Sequence, residues 1–305
     1  MKINAIIVTY NSTLIKSDTI ASVFSASLDK ISLTITIWNN GPELLNSNDV
    51  NEYMEKCQSL NISSSIYQDI RNISLSKIYN FILKRGEHDF FVILDQDTKI
   101  NPDFFSNIEK NSDCELICPQ VYIENNDNKL DSPVYRDSLK KIPTGYFNAN
   151  NMLTCGSGLS ISRLLYEKTL KHSGFIFDER YAFYLADDSF LLNMKKFDYV
   201  KGMCIGEIHH NLSGFGKNYK EMKESSKLEL GYSIILRRIN EQKKDSILKN
   251  IFHAIKFIVK AKCSYSNSLN ILRCALTKTH PRTYHILDEN IRPTNSLIES
   301  EYKNN

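Results

Sequence analysis

Several common sequence signatures are missing from this 305-residue chain. No stretch approaches the roughly 20 apolar residues needed to span a bilayer. Met1 to Tyr10 holds an apolar core of only a few residues, without the long apolar region or small-residue cleavage site of a secretory leader. The expectation is a chain that is neither exported nor membrane-spanning. The seven cysteines are odd in number, scattered and without a CxxC pair, which argues against a disulfide framework and for reduced thiols in the cytosol. Four Asn-x-Ser/Thr matches, beginning at Asn11, Asn61, Asn72 and Asn211, are then chance features of a Ser- and Asn-rich sequence. No GxGxxG follows the first strand-like segment and GxxxxGK[ST] occurs nowhere, so dinucleotide-binding and P-loop sites are not expected. Tryptophan occurs once, at Trp38; a core or rim position at a strand end suits it better than stacking on a ligand.

What is present is the composition of an ordinary folded protein, 42% hydrophobic and 24% charged. The net charge of +3 hides an asymmetry: residues 1–216 hold 21 Lys/Arg against 26 Asp/Glu, and residues 217–305 hold 17 against 9. A basic C-terminal region implies an anionic partner, lipid headgroups or nucleic acid. Nucleic acid is not expected, because the basic residues lack an interleaved aromatic platform for bases.

The organising stretch is DFFVILDQDT, Asp89 to Thr98. Phe90 to Leu94 is an unbroken apolar run that suits a strand buried on both faces of a parallel sheet. Asp95 and Asp97 cannot continue into that core unpaired, because burying a charge costs several kcal/mol or more. They are placed at the strand's C-terminal end, the edge where open α/β sheets bind ligands. Two readings fit them. They are turn residues before a helix capped by Asn101 with Pro102 at its first position, or they hold a hard divalent cation together with substrate phosphates.

Strand–helix alternation precedes this stretch. Strands are expected at Lys2–Thr9, Leu33–Trp38 and Ser65–Gln68, and helices at Asp18–Leu28, Asn51–Gln58 and Ser74–Lys84. The pattern is that of an α/β protein with a mostly parallel sheet flanked by helices. Beyond it, strands are expected at Glu115–Tyr122 and Val200–Ile205, the latter running into His209-His210. Helices are expected at Ser162–His172 and Ala186–Lys196, and Asn125–Pro143 is expected to be irregular.

Several segments together resemble glycosyltransferase family 2, a GT-A-fold family of nucleotide-sugar transferases, and within it the rhamnosyltransferase-type enzymes of bacterial surface polysaccharide synthesis. They are IIVTYN (Ile6–Asn11), Trp38-Asn39-Asn40-Gly41, the helix between Asn72 and Asn80, LDQDT (Leu94–Thr98), SGLSISR (Ser157–Arg163), FDERYAFYLADDSFLLNMKK (Phe177–Lys196) and the segment near His210, in consistent order over residues 3–215. The resemblance implies that Asp97 coordinates Mn²⁺ or Mg²⁺ and that Asp95 holds the ribose or reaches the metal through water. Thr9, Tyr10 and Asn11 would line the nucleotide pocket, with Asn72 also on the donor side. Asn39 stands where the family usually has an Asp that accepts a hydrogen bond from the base, a departure that weakens any base preference. Ser74 departs from the family's usual Gly.

Asp187-Asp188 replaces the family's Glu-Asp pair. The resemblance implies Asp188 as the base that takes the acceptor proton, with Asp187 as its neighbour or an acceptor contact. Like charges side by side should raise one of the two pKa values. Acidic residues at a helix start are also explained by the helix dipole alone. His210, with His209 behind it, is a candidate third metal ligand or diphosphate contact, or else a hydrogen-bonded structural histidine. Gly214 and Gly216 flank Phe215 in a loop able to close over a donor. Lys195 and Lys196 stand where the family often has an Arg.

In the basic region, Ser246–Lys262 places Leu248, Ile251, Phe252, Ile255, Ile258 and Val259 on one helix face and Lys249, His253, Lys256 and Lys260 on the other. Packing on the domain and binding to an anionic membrane surface both fit this pattern. Arg237, Arg238, Lys243 and Lys244 would equally serve a polyprenyl-diphosphate-linked glycan acceptor. Residues 288–305 are expected to be frayed. The expectation is a catalytic domain over 1–216 and a helical basic region over 217–305. The function expected is inverting, metal-dependent transfer of rhamnose from dTDP-rhamnose, or of glucose or galactose from a UDP-sugar, onto a lipid-linked glycan of O-antigen or capsule. The place expected is the cytoplasmic face of the bacterial plasma membrane. The alternative is a non-catalytic nucleotide- or membrane-binding relative.

Overall fold

A computed structural model describes residues 1–123, 129–210, 218–242 and 246–294. The first half alternates as its periodicity predicts: β1 (Lys2–Thr9), α1 (Asp18–Phe24), β2 (Ser32–Asn39), α2 (Ser47–Ser59), β3 (Ser63–Gln68), α3 (Leu75–Arg85) and β4 (Phe90–Asp95). The chain then turns back through β5 (Thr98–Ile100) into α4 (Phe104–Lys110) and β6 (Leu116–Ile123). Short strands β7 (Lys129–Ser132), β8 (Val134–Tyr135), β9 (Gly145–Asn148), β10 (Met152–Leu153) and β11 (Ser160–Ser162) lead to α5 (Arg163–Ser173) and α6 (Ala186–Met194). The long β12 (Lys201–His210) follows, and then helices α7 (Glu224–Asn240), α8 (Ile247–Ala261) and α9 (Tyr265–Thr277).

The main sheet runs β3-β2-β1-β4-β11-β6-β12-β5, with β7 on β6 and β9 on β12. The strands β1 to β4 pair in parallel, as do β6 and β12, whereas β11 lies antiparallel between β4 and β6. Alternation along β4 sends Phe90, Val92 and Leu94 into one apolar core and Phe91 and Ile93 into the other. Burying those five side chains contributes on the order of 10 kcal/mol before chain entropy is counted. The run stops at Asp95, which continues the Phe91–Ile93 face at the sheet edge. Trp38 is fully buried there, stacked on Tyr67 with the edge of Phe81 against it, so it is a core residue.

Three local expectations need correction. Pro102 does not open α4: residues 102–103 form a turn in which the Phe104 N–H donates to the Asn101 carbonyl, and the helix starts at Phe104. The Asn125–Pro143 stretch is not irregular throughout, since β7 joins the sheet edge on β6 and β8 pairs with β10. Strands of two to four residues carry too few side chains to show a period of two. Finally, α8 buries only part of the apolar stripe of its sequence: Ile251 and Ile258 pack against the bundle, whereas Leu248, Phe252, Ile255 and Val259 are exposed.

The helices α7, α8 and α9 surround a cluster of their own, Tyr232, Ile235, Leu236, Ala254, Phe257, Ala261, Ile271, Cys274 and Ala275, which also takes in Tyr181 from the segment before α6. All seven cysteines are free thiols. Among the described residues, no helix is long and apolar enough to cross a membrane.

Candidate active site

The C-terminal edge of β1, β2 and β4 carries most of the sequence-derived candidates. Strand register sets Thr9 beside Asn39 and Val8 beside Asp95. Asp95 is half-buried at the tip of β4, Gln96 and Asp97 form the turn, and the Asp97 side chain is exposed.

The turn is held from three sides. On α1, Thr19 Oγ1 donates to the Asp95 carbonyl (2.5 Å) and accepts from the Thr98 N–H (2.8 Å). The N-cap Ser17 donates its hydroxyl to the Gln96 carbonyl at 2.9 Å. From the 155–158 loop, Ser157 Oγ accepts the Asp95 N–H (3.1 Å) and lies 2.6 Å from Thr98 Oγ1. Gln96 reaches back to β1, where its Oε1 accepts the Tyr10 N–H (2.7 Å) and its Nε2 donates to the Tyr10 carbonyl (3.3 Å). The middle residue of the acidic triplet is thus a clamp between the Asp95–Asp97 turn and the loop of Tyr10 and Asn11. A glutamine between two aspartates gave no sign of this in the sequence; only the meeting of two strand ends reveals it.

Asn39 is buried and its amide serves the neighbouring loop. Its Nδ2 donates to the Glu43 carbonyl (2.7 Å) and to Gln68 Oε1 (3.1 Å), and its Oδ1 accepts the Gly41 N–H (3.1 Å). Its oxygen thus already serves the Gly41 turn, with one lone pair left. Asn72 has left-handed backbone (φ 57°), and its Oδ1 accepts from Asn40 Nδ2 at 3.4 Å. The Ser74 side chain is fully buried and donates to the Tyr181 carbonyl (3.3 Å), pointing into the fold rather than a pocket.

The two adjacent acids of α6 have opposite surroundings. Leu185, directly before the helix, has φ 71°, a strained conformation for a bulky side chain and of a kind that concentrates at functional sites. Asp188 is buried and bridged by two arginines: Arg136 Nη2 donates to its Oδ1, and Arg237 Nη2, from α7, donates to its Oδ2 at 2.5 Å. Both oxygens are occupied. Asp187 is only partly buried and faces the 155–158 loop. Its Oδ1 accepts the Asp188 N–H (2.8 Å), and the Gly156 N–H also bonds to it. A Cβ on Gly156 would stand 3.3 Å from the Asp187 Cβ, so glycine permits the close approach.

Burial pushes the Asp187 carboxyl up to about 6, and the negative charges of Asp188 and Asp95 push the same way against the two backbone N–H donors. The Asp95 charge is also felt by the buried Tyr79 hydroxyl and the Cys155 thiol, both raised chiefly by burial and then by Asp95 and Asp187. Asp95 and Asp187, 92 residues apart in sequence, therefore share one electrostatic neighbourhood.

The backbone of His210 ends β12 opposite Thr98, one residue from Asp97; its side chain lies outside the described residues, as do Gly214, Phe215 and Gly216. Among the described residues no group of three or more His, Cys, Asp or Glu forms a metal cluster. Two carboxylates on one turn, with a histidine position on the adjoining strand, make an oxygen-rich donor set whose chemistry would fit Mg²⁺ or Mn²⁺. Lys196 does not take the place of an arginine at the site. It caps the end of α6, donating to Asn193 Oδ1 (3.1 Å) and Ser173 Oγ (3.3 Å). Arg237 is engaged by Asp188 and Glu241, and Arg238 by Asn250, while Lys243 and Lys244 lie outside the described residues.

This architecture is the GT-A fold: a mostly parallel sheet flanked by helices, with an acidic turn at the tip of its fourth strand. No family model matches the sequence, and no curated protein matches it significantly. Solved structures do. The chain is similar to S. aureus TarS (TM-score 0.52, 14% identity), covering 93% of this chain and 50% of that one. It therefore spans half the length of the whole TarS chain. It is also similar to S. aureus TarS 1–349 in complex with UDP-GlcNAc (TM-score 0.51, 14% identity; 96% and 97% covered). A third is GalNAc-T7 with UDP, GalNAc and Mn²⁺ (TM-score 0.50, 13% identity; 92% and 58% covered). At such identities the likeness establishes the fold.

Proposed function

We propose that this protein is a glycosyltransferase that moves a sugar from a nucleotide-diphosphate donor to an acceptor hydroxyl with inversion, and that Asp187 is its base. One observation carries the reading. In a GT-A fold, the 155–158 loop links the two acidic elements: Ser157 bonds to the Asp95 N–H and to Thr98, while Gly156 packs against Asp187 and donates its N–H to it. Asp188, which the family resemblance favoured as base, has both oxygens bonded to guanidinium groups and suits a positioning role instead.

In the proposed reaction the acceptor oxygen attacks the anomeric carbon while its proton passes to Asp187. The bond from that carbon to the diphosphate oxygen breaks, and its electron pair leaves with the nucleoside diphosphate. A base for this step must come within about 2.6–3.2 Å of the proton it takes. Among the described residues, Asp187 is an acid whose environment raises its pKa toward working pH. Asp97, with Asp95 and His210, would hold Mn²⁺ or Mg²⁺, which when bound offsets charge on the departing diphosphate. Thr9, Tyr10 and Asn11 would line the nucleotide side, held against the acidic turn by Gln96, and Asn72 would stand on the far wall.

For the finer assignment, rhamnose from dTDP-rhamnose is the first donor, followed by glucose or galactose from a UDP-sugar. The acceptor is a polyprenyl-diphosphate-linked glycan of O-antigen or capsule synthesis, met at the cytoplasmic face of the membrane. The segment FDERYAFYLADDSFLLNMKK, which resembles rhamnosyltransferase-type enzymes of family 2, supports this choice. Residues 1–216 form the catalytic part in this reading and 217–305 the membrane-facing part. The test is a panel of nucleotide sugars incubated with the protein and Mn²⁺. Slow, metal-dependent release of dTDP or UDP is expected from the true donor, whereas a non-catalytic binder releases none.

A further inference from the structure

The helix α8 turns four of the six residues of its apolar stripe away from the protein, while Ile251 and Ile258 pack against the bundle core. Asn250, Ala254, Phe257 and Ala261 are its buried residues, and at 100° per residue they define one side of the helix. On the opposite side lie Leu248, Phe252, Ile255 and Val259, which are 80%, 63%, 48% and 71% exposed. Lys249, Lys256 and Lys260, all exposed, run along one edge of this stripe. The inward side is not purely apolar, since Asn250 is fully buried there and accepts from Arg238 of α7 at 3.3 Å. A helix that served only to pack on α7 and α9 would be expected to place its large aliphatic residues inward.

We infer that this face of α8 docks on an anionic lipid bilayer. Charge selects the occupant. From Ser246 to Leu287 the chain has seven Lys/Arg and neither Asp nor Glu, so an apolar stripe edged by lysines meets a surface of acyl chains and negative headgroups on matching terms. A second copy of the chain fits less well, because pairing the stripe with itself brings two such acid-free lysine rows together. The inference deepens the reading above and rests on it for the lipid-linked acceptor. It adds a route from membrane to site, since α7 carries both Arg238, bonded to α8, and Arg237, bonded to Asp188.

The test is co-sedimentation of the full chain with phosphatidylcholine vesicles with and without phosphatidylglycerol, in low salt and without donor. Binding is expected only to the anionic vesicles. The double variant Phe252→Gln/Val259→Gln should weaken it by tenfold or more, since an exposed phenylalanine and valine each lose their burial in lipid. Replacing Lys249, Lys256 and Lys260 by Gln should remove most of its salt dependence. Both variants change exposed positions, so circular dichroism and donor hydrolysis should match the parent chain. Unchanged vesicle binding by the double variant would overturn the inference, as would sedimentation showing a dimer that the same variant disperses. Vesicle binding without any donor hydrolysis would sink the enzymatic reading and leave the docking surface standing.

Discussion

Arg237 of α7 donates to Asp188 Oδ2 at 2.5 Å and, through Nε, to Glu241 Oε2 at 2.9 Å. One guanidinium therefore joins the C-terminal bundle to the acidic pair of α6, and Arg136 holds the other oxygen of the same carboxylate. Removing one member of a buried pair leaves an uncompensated charge, typically at a loss of about 3–5 kcal/mol. Asp188→Asn should therefore lower thermal stability clearly yet retain measurable transfer at the parent's pH midpoint. If stability held and transfer vanished, the positioning role would be lost and Asp188 restored as base.

Asp187→Asn should do the reverse. The carboxyl is raised to about 6 in the folded protein from 3.8. An acid raised in this way favours the fold while it is protonated, and that contribution is lost as pH rises from about 4 through about 6. At neutral pH the ionised group then opposes folding. The asparagine variant should melt at a higher temperature than the parent at pH 7.5, lose that advantage near pH 4, and transfer no sugar. A melting temperature unchanged at both pH values would refute the assigned environment.

The same carboxyl should govern the pH profile. In the proposed reaction the base acts in its ionised form, so the rate should climb through about pH 6 and level off above it. Bound divalent cation near Asp95 would favour the ionised form and draw the midpoint downward. Initial rates between pH 5 and 8 at saturating Mn²⁺ will check this; a profile flat across that range argues for a different base.

Chelation should abolish nucleotide release and Mn²⁺ should restore it. Asp97→Asn should weaken Mn²⁺-dependent nucleotide binding at least tenfold, about 1.4 kcal/mol, while leaving the melting temperature near that of the parent because the side chain is exposed. Calorimetric titration of dTDP or UDP with and without Mn²⁺ reads this directly.

Gly158 supports the loop behind Asp95. Its φ is 81°, a Cβ there would stand 2.4 Å from the Pro119 ring, and its N–H donates to the Ile93 carbonyl at 2.7 Å. Gly158→Ala should lose about 2–4 kcal/mol by combining left-handed strain with overpacking against a rigid ring. A denaturant midpoint within error of the parent would show that the loop moves more freely than its contacts imply.

Much of this was legible in the residues alone. The strands β1, β2 and β4 announce themselves as apolar runs and α3 as a 3.6-residue period, and the free energy of burying charge ends β4 at Asp95 whatever else the chain does. The candidates Thr9, Tyr10, Asn39, Asn72, Asp95 and Asp97 gather at one edge because parallel strands must finish on the same side. Other parts of the site were not legible. Gln96 reads as a spacer until β1 is set beside β4, and Arg136 and Arg237 lie 52 and 49 residues from Asp188, with no local pattern to link them.

Periodicity and the aversion of charge to apolar surroundings place an acidic pair at the start of α6 and a lysine-edged apolar stripe on α8. Neither says which way each helix is turned. Neighbouring helical residues point about 100° apart, so the packing of α6 against the Cys155–Gly158 loop, entered through the strained Leu185, directs Asp187 to that loop and Asp188 to the arginines. The packing of α8 on α7 and α9 directs Leu248, Phe252, Ile255 and Val259 to solvent. Such rotations are settled by contacts among residues far apart in the chain, and those contacts exist only once the sheet and the bundle have come together.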